Sequence, residues 1–503
     1  MDVLGNVTVL TLTGLASQLT GFFYRVLLTR MAGAEVLGLY QLILPVYGVL
    51  TAFTAGGLTT GVSNLSARYQ ALGDRRAVGQ VRGQAVLLFL ALAAAPCLCL
   101  EVLSEPISVW LLGDARTRLG LMLLAPCLVL TGVENLHKHY FYGVGKVTPA
   151  AVTELLEQLL RSGLCLGCLA LLRPETAEGS VGAVVLGMAL CEVSAAATQI
   201  VLFRWDMGPK SRRAGPGRSP RLLRRQLAGI AGPLGAAAVL GSLLSSANAL
   251  LIPRLLVRGG MGQDGAVAAY GVVFGMALPM LLVPTAFLSA LALVLTPALA
   301  RHAALGNRAA VRDCVSRAVE AAGLVLTPAL ALLAVLGPAL GQALYGDHTV
   351  GEHLPLLALG MLFSCWQGLF SGVLNGLERQ KTAAAIALVC DGVQLVLTAG
   401  TVARWGLEGY AVSFAASSLL GAVWSWNAAR REAGVRPHLF RWVLAPVLTA
   451  ALAASCGSLM ETALLRGGLD PLPAALGGLI FGALLVPAAW GAMGTAFPRL
   501  DMG

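Results

Sequence analysis

The sequence predicts an all-α polytopic membrane protein: about fourteen transmembrane helices in two pseudo-symmetric six-helix lobes around a central cavity, plus two C-terminal helices. Three observations predict it. Hydrophobic residues make up 57% of the 503 positions and charged residues only 12%, with a mean hydropathy of +0.77; a soluble domain carries roughly 25% charge. Apolar runs of spanning length recur from one end to the other. Lys and Arg alternate in density from one loop to the next. The composition excludes a soluble enzyme, a disordered chain and a nucleic-acid-binding module. The net charge of +10 reads as a topology signal facing anionic inner-leaflet lipid.

The first six spans are expected at 5–29, 36–66, 83–104, 119–142, 149–172 and 181–203, forming an N-terminal lobe over 1–203. Span one has no basic segment ahead of its apolar run, so it reads as a retained helix rather than a cleaved signal peptide. It ends at Arg30. Span two ends at Arg68, and Arg75, Arg76 and Arg82 precede span three. Arg116 and Arg118 bound span four, Lys138 and Lys146 lead into span five, and Arg173 ends it. A basic, Gly- and Pro-containing stretch at 204–225, with Lys210-Ser-Arg-Arg-Ala-Gly-Pro-Gly-Arg-Ser-Pro at its centre, reads as a cytoplasmic linker.

A C-terminal lobe is expected over 226–431, with spans at 226–253, 266–298, 316–344, 354–376, 382–403 and 409–429; two further helices, 442–464 and 473–494, fall within 432–503. Pro45, Gly56-Gly57, Pro233, Pro279, Pro284 and Pro328 interrupt apolar runs. Membrane helices tolerate such breaks because neighbouring groups re-satisfy the freed backbone. With this alternation, 25 Lys and Arg fall in loops on one side and 8 on the other. That bias places both termini in the cytoplasm of a multi-pass cell-membrane protein.

An internal repeat supports the two lobes. Arg25-Val-Leu-Leu-Thr-Arg30 and Arg254-Leu-Leu-Val-Arg258 end corresponding spans, followed by Tyr40 and Pro45 in one half and Tyr270 and Pro279 in the other. Gly143-Val-Gly-Lys-Val-Thr148 aligns with Gly376-Leu-Glu-Arg-Gln-Lys-Thr382, and the Thr-to-Thr offset of 234 carries Glu157 onto Asp391. The two acids are therefore expected at equivalent places in the halves.

Ionisable groups inside spans are costly and face a bundle interior or cavity. Arg25, Glu134, Glu154, Glu157, Arg161, Glu192 and Asp391 stand out. Glu154, Glu157 and Arg161 are spaced i, i+3, i+7 and are expected on one helix face, with Glu157 and Arg161 paired at i, i+4. Arg25 is a guanidinium suited to bidentate recognition of phosphate. Asn64 and Asn248 add polar groups to a candidate substrate-binding set of Arg25, Asn64, Glu134, Glu154, Glu157, Arg161, Asn248 and Asp391. The run Glu134-Asn-Leu-His-Lys-His139 lacks the partner motif that a di-metal bundle needs. The ten cysteines lie almost all in apolar runs without paired ligand motifs. No metal, catalytic residue or cofactor is expected, and no nucleotide-binding loop is present. Drive by the membrane potential, H⁺ or Na⁺ fits instead.

Four stretches resemble a known family. They are Gly14–Gly33 with Gly38-Leu-Tyr-Gln; Tyr142-Gly-Val-Gly-Lys-Val-Thr-Pro149 with Glu154, Glu157, Gln158 and Arg161; Gly232-Pro233 through Pro253-Arg254-Leu255; and Tyr270-Gly271 through Pro279, Pro284 and Pro297. Together they resemble the stage V sporulation protein B/polysaccharide-biosynthesis flippases of the multidrug/oligosaccharidyl-lipid/polysaccharide exporter superfamily. The resemblance implies a non-enzymatic flippase. Its cargo would be an isoprenoid-linked, undecaprenyl-diphosphate sugar precursor of peptidoglycan or another cell-wall or surface polysaccharide. That precursor would move from the inner to the outer leaflet by alternating access. Partners implied are the lipid-linked sugar, membrane lipids and cell-wall synthesis enzymes, with no nucleic acid. Arg25 lies where a diphosphate-binding arginine is expected, and spans two and eight offer no second one. Two rival readings use the same residues: a proton- or sodium-coupled multidrug antiporter of the same superfamily, and a non-transporting membrane scaffold for a wall-synthesis complex.

Overall fold

The computed structural model describes residues 3–208 and 215–492, and all regular structure among them is helical. The labelled helices are α1 (Val3–Thr51), α2 (Gly57–Ala71), α3 (Arg75–Val102), α4 (Arg118–Gly143), α5 (Val147–Leu172), α6 (Ala177–Asp206), α7 (Pro220–Arg258), α8 (Gln263–Gly271), α9 (Ala286–Ala304), α10 (Arg308–Tyr345), α11 (Leu354–Gly376), α12 (Gln380–Ala433), α13 (Ala445–Arg466) and α14 (Pro471–Ala492). Thirteen helical segments among the described residues are long and apolar enough to cross a membrane. Two of them, Leu12–Ala71 and Gln380–Ala433, each hold two of the expected spans. The expected eighth span is split into Gln263–Leu282 and Ala286–Ala304 around a turn. Fourteen expected spans and thirteen observed segments thus cover the same stretches of chain.

The double-length helices have a local cause. Gly33 in α1 (φ 83°) and Gly406 in α12 (φ 60°) leave the helical region, so the chain reverses with almost no loop. Only glycine enters positive φ without steric cost. Single π-turns follow α1 at Ala52–Gly56 and α8 at Val272–Ala277, next to the expected breakers Gly56-Gly57 and Pro279.

The chain divides into two compact units, Met1–Leu250 and Leu251–Gly503. Their boundary falls inside α7, whereas the sequence reading placed the lobe boundary in the basic stretch at 204–225. Among the described residues, helical structure runs to Asp206 and α7 begins at Pro220, so Arg221, Arg224 and Arg225 belong to the first turns of α7 rather than to a linker. Arg224 Nε donates to Gln84 Oε1 at 2.6 Å, and Leu223 and Leu227 are fully buried. These contacts hold the start of α7 in the first unit. Residues 209–214, at the centre of that basic stretch, lie outside the described residues.

The first unit is packed through small residues. A Cβ on Gly187 of α6 would lie 2.5 Å from Cys165 Cα of α5, and one on Gly57 would lie 2.1 Å from the Ala231 carbonyl of α7. Close backbone approach of this kind drives helix association where lipid removes the hydrophobic incentive. Phe89 from the middle of α3, Leu136, Tyr140 and Phe141 from the last turns of α4, and Phe203 from the end of α6 form a buried cluster.

Candidate functional site

Five ionisable side chains from α4, α5 and α6 meet inside the first unit. Lys138 Nζ lies 2.6 Å from Glu134 Oε1 and donates to Glu157 Oε2 at 2.8 Å. Arg161 Nη2 reaches Glu157 Oε1 at 2.5 Å and Glu192 Oε1 at 2.7 Å. The order is Glu134, Lys138, Glu157, Arg161, Glu192, with acid and base alternating. Side-chain exposures are 2%, 10%, 8%, 23% and 0% along that order.

Helix geometry explains the ladder. Glu134 and Lys138, and Glu157 and Arg161, are i, i+4 pairs with the acid on the N-terminal side, the favoured orientation. Glu192 of α6 closes the chain from a third helix. The three carboxylates have oxygen atoms within 4.8 Å of one another, a spacing that could hold a cation. Lys138 and Arg161 already supply two positive charges there. With all groups ionised, three carboxylates face two cations and the cluster carries one net negative charge. Glu192 Oε2 and Arg161 Nε are buried without a hydrogen-bond partner among the described residues.

Of the predicted set, Glu134, Glu157 and Arg161 come together here. Glu154 does not: it is exposed, so the shared face narrows to the i, i+4 pair. Asn64 is exposed, and Asn248 of α7 is half-buried, its Oδ1 buried and without a partner among the described residues. Arg25 of α1 is half-buried and makes no ion pair among the described residues. Tyr40 lies within electrostatic range of both Arg25 and Arg161. His137 turns Nδ1 to the Val133 carbonyl at 2.6 Å and packs edge-on against Phe203, away from a Glu134–His137 ligand pair.

Two members of the network were undervalued in the sequence. Lys138 reads in the sequence as a charge leading into span five, but it is buried in α4. Its i, i+4 spacing from Glu134 was the available signal. Glu192 was recognised as an in-span acid without a partner; no local spacing links it to α5.

The structure also corrects the repeat register. The α4–α5 and α11–α12 turns have equal length: helices end at Gly143 and Gly376 and resume at Val147 and Gln380. Gly145 (φ 78°) and Glu378 (φ 61°) occupy the same place in the two turns. The offset is therefore 233, from Gly143 to Gly376, and not the 234 of the Thr alignment. Burial agrees. Ala150, Glu157, Cys165 and Leu169 are buried, as are Ala383, Cys390, Thr398 and Val402 at that offset. Glu157 thus corresponds to Cys390, and Asp391 to Gln158. Asp391 is half-buried and makes no hydrogen bond or ion pair among the described residues.

In this register the ladder is confined to the first unit. Glu134, Lys138, Glu157 and Arg161 correspond to Gln367, Ser371, Cys390 and Gln394. Only the cation of a peripheral ion pair is matched in this register: Lys146 bonds Asp206 in the first unit and Arg379 pairs with Glu432 at 3.1 Å in the second, while Asp206 falls on Leu439.

An all-helical polytopic fold with internally repeated units, carrying a buried charge ladder in one of them, defines a transporter-like membrane protein. The chain belongs to the polysaccharide biosynthesis protein family, which matches residues 3–303. The lipid II flippase MurJ family matches residues 263–468. Stage V sporulation protein B of Bacillus subtilis (strain 168) is 22% identical over 420 residues, covering 82% of this chain and 80% of that protein. Among solved structures, an inward-facing multidrug resistance MATE family transporter of the MOP superfamily superposes with a TM-score of 0.66 at 15% identity, over 82% of this chain and 95% of that one. The lipid II flippase MurJ in an inward closed conformation gives 0.64 at 13% identity, over 96% and 99%. These structural likenesses establish the fold.

Proposed function

We propose that the protein flips an isoprenoid-diphosphate-linked sugar precursor of the cell wall or a surface polysaccharide from the inner to the outer leaflet, with both termini in the cytoplasm. The family and the stage V sporulation protein B and MurJ matches support the class of cargo. One observation carries the reading on this chain. Arg25 is a half-buried guanidinium within a span and has no acidic partner among the described residues. An ionised group at that depth is costly without a counter-charge. A lipid diphosphate supplies one, with oxygen pairs that match the guanidinium fork. Outward movement is aided by an inside-negative potential: about 2.3 kcal/mol per charge per 100 mV, so roughly 4–5 kcal/mol for two charges.

The test is flipping of a defined undecaprenyl-diphosphate sugar by the reconstituted chain. Arg25→Ala abolishes transport while the protein still folds and inserts, and Arg25→Lys restores part of it. Wild-type flipping by Arg25→Ala removes the phosphate-clamp reading, and a scaffold would tolerate the change.

The charge ladder favours a second reading, a cation-coupled antiporter. Its three carboxylates exceed its two cations, which leaves room for one proton or monovalent cation. An organic-cation flux that tracks an imposed proton or sodium gradient, with no flipping of the lipid-linked sugar, would select it.

A further inference from the structure

The second unit carries two adjoining clefts where α11 ends and where α12 begins and ends. One, of about 510 Å³, is lined by Thr382, Trp424, Asn427, Arg431 and Glu432 over an apolar floor. The other, of about 290 Å³, is lined by Glu378, Arg379 and Glu432. Glu432 lines both, and its Oε2 pairs with Arg379 Nη2 at 3.1 Å. One charge of each sign is left over. Arg431 and Glu378 make no ion pair or side-chain hydrogen bond among the described residues, and neither does the Thr382 hydroxyl or the Asn427 amide.

Glu378 stands against the local backbone preference. Its φ of 61° lies in the left-handed region, at the place that Gly145 fills in the corresponding turn of the first unit. Glycine enters that region freely and a residue with a Cβ does not. The turn closes without a side chain in the first unit, yet the second unit keeps a carboxylate there. A backbone outlier of this kind points to a use for the side chain.

The clefts also sit at a definable depth. Trp424 lies 18 residues beyond the reversal at Gly406, a rise of about 27 Å and close to the ~30 Å of a hydrocarbon core. Trp405, beside the reversal, and Trp424 are 59% and 43% exposed. Exposed tryptophans at the two ends of a span mark the two interfaces. Asn427 and Arg431 continue past Trp424 on the same helix face, into the headgroup layer. Leu420, one turn back toward the membrane centre on that face, is 40% exposed and open to acyl chains.

We propose that the paired clefts bind the headgroup of a zwitterionic aminophospholipid, with the phosphodiester at Arg431, Asn427 and Thr382 and the ammonium at Glu378. Guanidinium–phosphate bonds are charge-assisted, and the amide and hydroxyl donate to the remaining oxygens. The four lining ions, Glu378, Arg379, Arg431 and Glu432, sum to zero charge, which matches a neutral headgroup. An anionic headgroup would satisfy Arg431 and leave Glu378 beside it without a cation. Soluble phosphoethanolamine carries the same charges but has nothing to lay along the exposed strip of Trp424 and Leu420.

Native mass spectrometry of the full chain in detergent, with added phosphatidylethanolamine or phosphatidylglycerol, tests this. Phosphatidylethanolamine is expected to be retained at least about tenfold more, the worth of one bond to a charged group. Glu378→Gln is expected to lose that preference. Glu378→Gly loses it too while relieving the positive-φ turn, so its unfolding midpoint does not fall. Arg431→Gln lowers retention of both lipids, whereas Arg436→Gln, outside the clefts, changes neither. Equal retention of the two lipids by the unsubstituted chain, or an intact preference in folded Glu378→Gln and Arg431→Gln, overturns the proposal. Phosphoethanolamine, or an undecaprenyl-diphosphate sugar, that displaces phosphatidylethanolamine completely overturns the phospholipid as occupant. The flipping test at Arg25 stands or falls independently of these results.

Discussion

Lys138→Met tests whether the ladder is an energetic unit. Among the described residues Lys138 is the only cation paired with Glu134, 2.6 Å away, and it shares Glu157 with Arg161. Methionine keeps the length and apolar stem but removes the charge. Glu157 retains Arg161, and Glu134, 2% exposed, is left without a counter-ion. Stranding one partner of a buried pair costs about 3–5 kcal/mol, a hundredfold or more in the folding equilibrium. The assay is reversible unfolding in mixed micelles, followed by fluorescence of the eight tryptophans. Adding Glu134→Gln to Lys138→Met removes the stranded charge and is expected to recover at least about 1 kcal/mol, within the range of coupling between contacting residues. Arg118→Ala is the contrast. Its pair with Glu105, at 3.4 Å, is 50% and 68% exposed, so its loss is expected to cost under about 1 kcal/mol. If Lys138→Met matches Arg118→Ala, or the second substitution adds to the damage, the ladder is not a stabilising unit and this reasoning fails.

Further outcomes follow from the same geometry. Glu157→Gln should cost about 1.5–3 kcal/mol through weakened charge-assisted bonds, whereas Asp391→Asn should stay within about 0.5 kcal/mol; equal costs would restore the equivalence that the register removes. Gly187→Leu should destabilise by at least about 1–3 kcal/mol through overpacking against Cys165, and Gly163→Leu, with nothing within 4 Å of its Cβ position, should be silent in the same unfolding assay. In a cysteine-free background, a cysteine at Ser211 should label only from the cytoplasmic side and one at Thr176, the exposed cap of α6, only from outside; reversed or two-sided labelling would overturn the orientation.

The fold class was legible because lipid leaves the backbone so few options. Runs of spanning length had to be helices, and the expected spans fall on the observed ones. The double-length helices were not legible. A reversal at a single glycine, as at Gly33 and Gly406, needs no polar loop and leaves no change in composition. The Glu157–Arg161 pair was readable from spacing within one helix. Glu192 was not, because its partner lies on another helix and sequence spacing carries no information about which faces meet. Lys138 was misassigned for a different reason. Lysine near a span end ordinarily reports the cytoplasmic border, and only tertiary burial distinguishes it from a structural cation.

The one-residue error in the repeat had a specific origin. Matching Thr148 to Thr382 required an inserted residue in the turn, but both turns run from a helix-terminal glycine to the next helix in the same number of residues. A one-residue slip rotates a helix position by about 100°, the angle set by 3.6 residues per turn, enough to move a side chain off the buried face. With the slip removed, the halves differ where charge is concerned. Four positions that carry ions in the first unit carry Gln, Ser, Cys and Gln in the second, on helices whose buried faces otherwise coincide. The second unit packs those faces without ions, so packing alone does not account for the ladder. Desolvating five charges is costly and a neutral alternative exists in the same chain. That comparison makes the ladder a candidate for coupling, and it places the search for an ion-dependent step in α4, α5 and α6 rather than at Asp391.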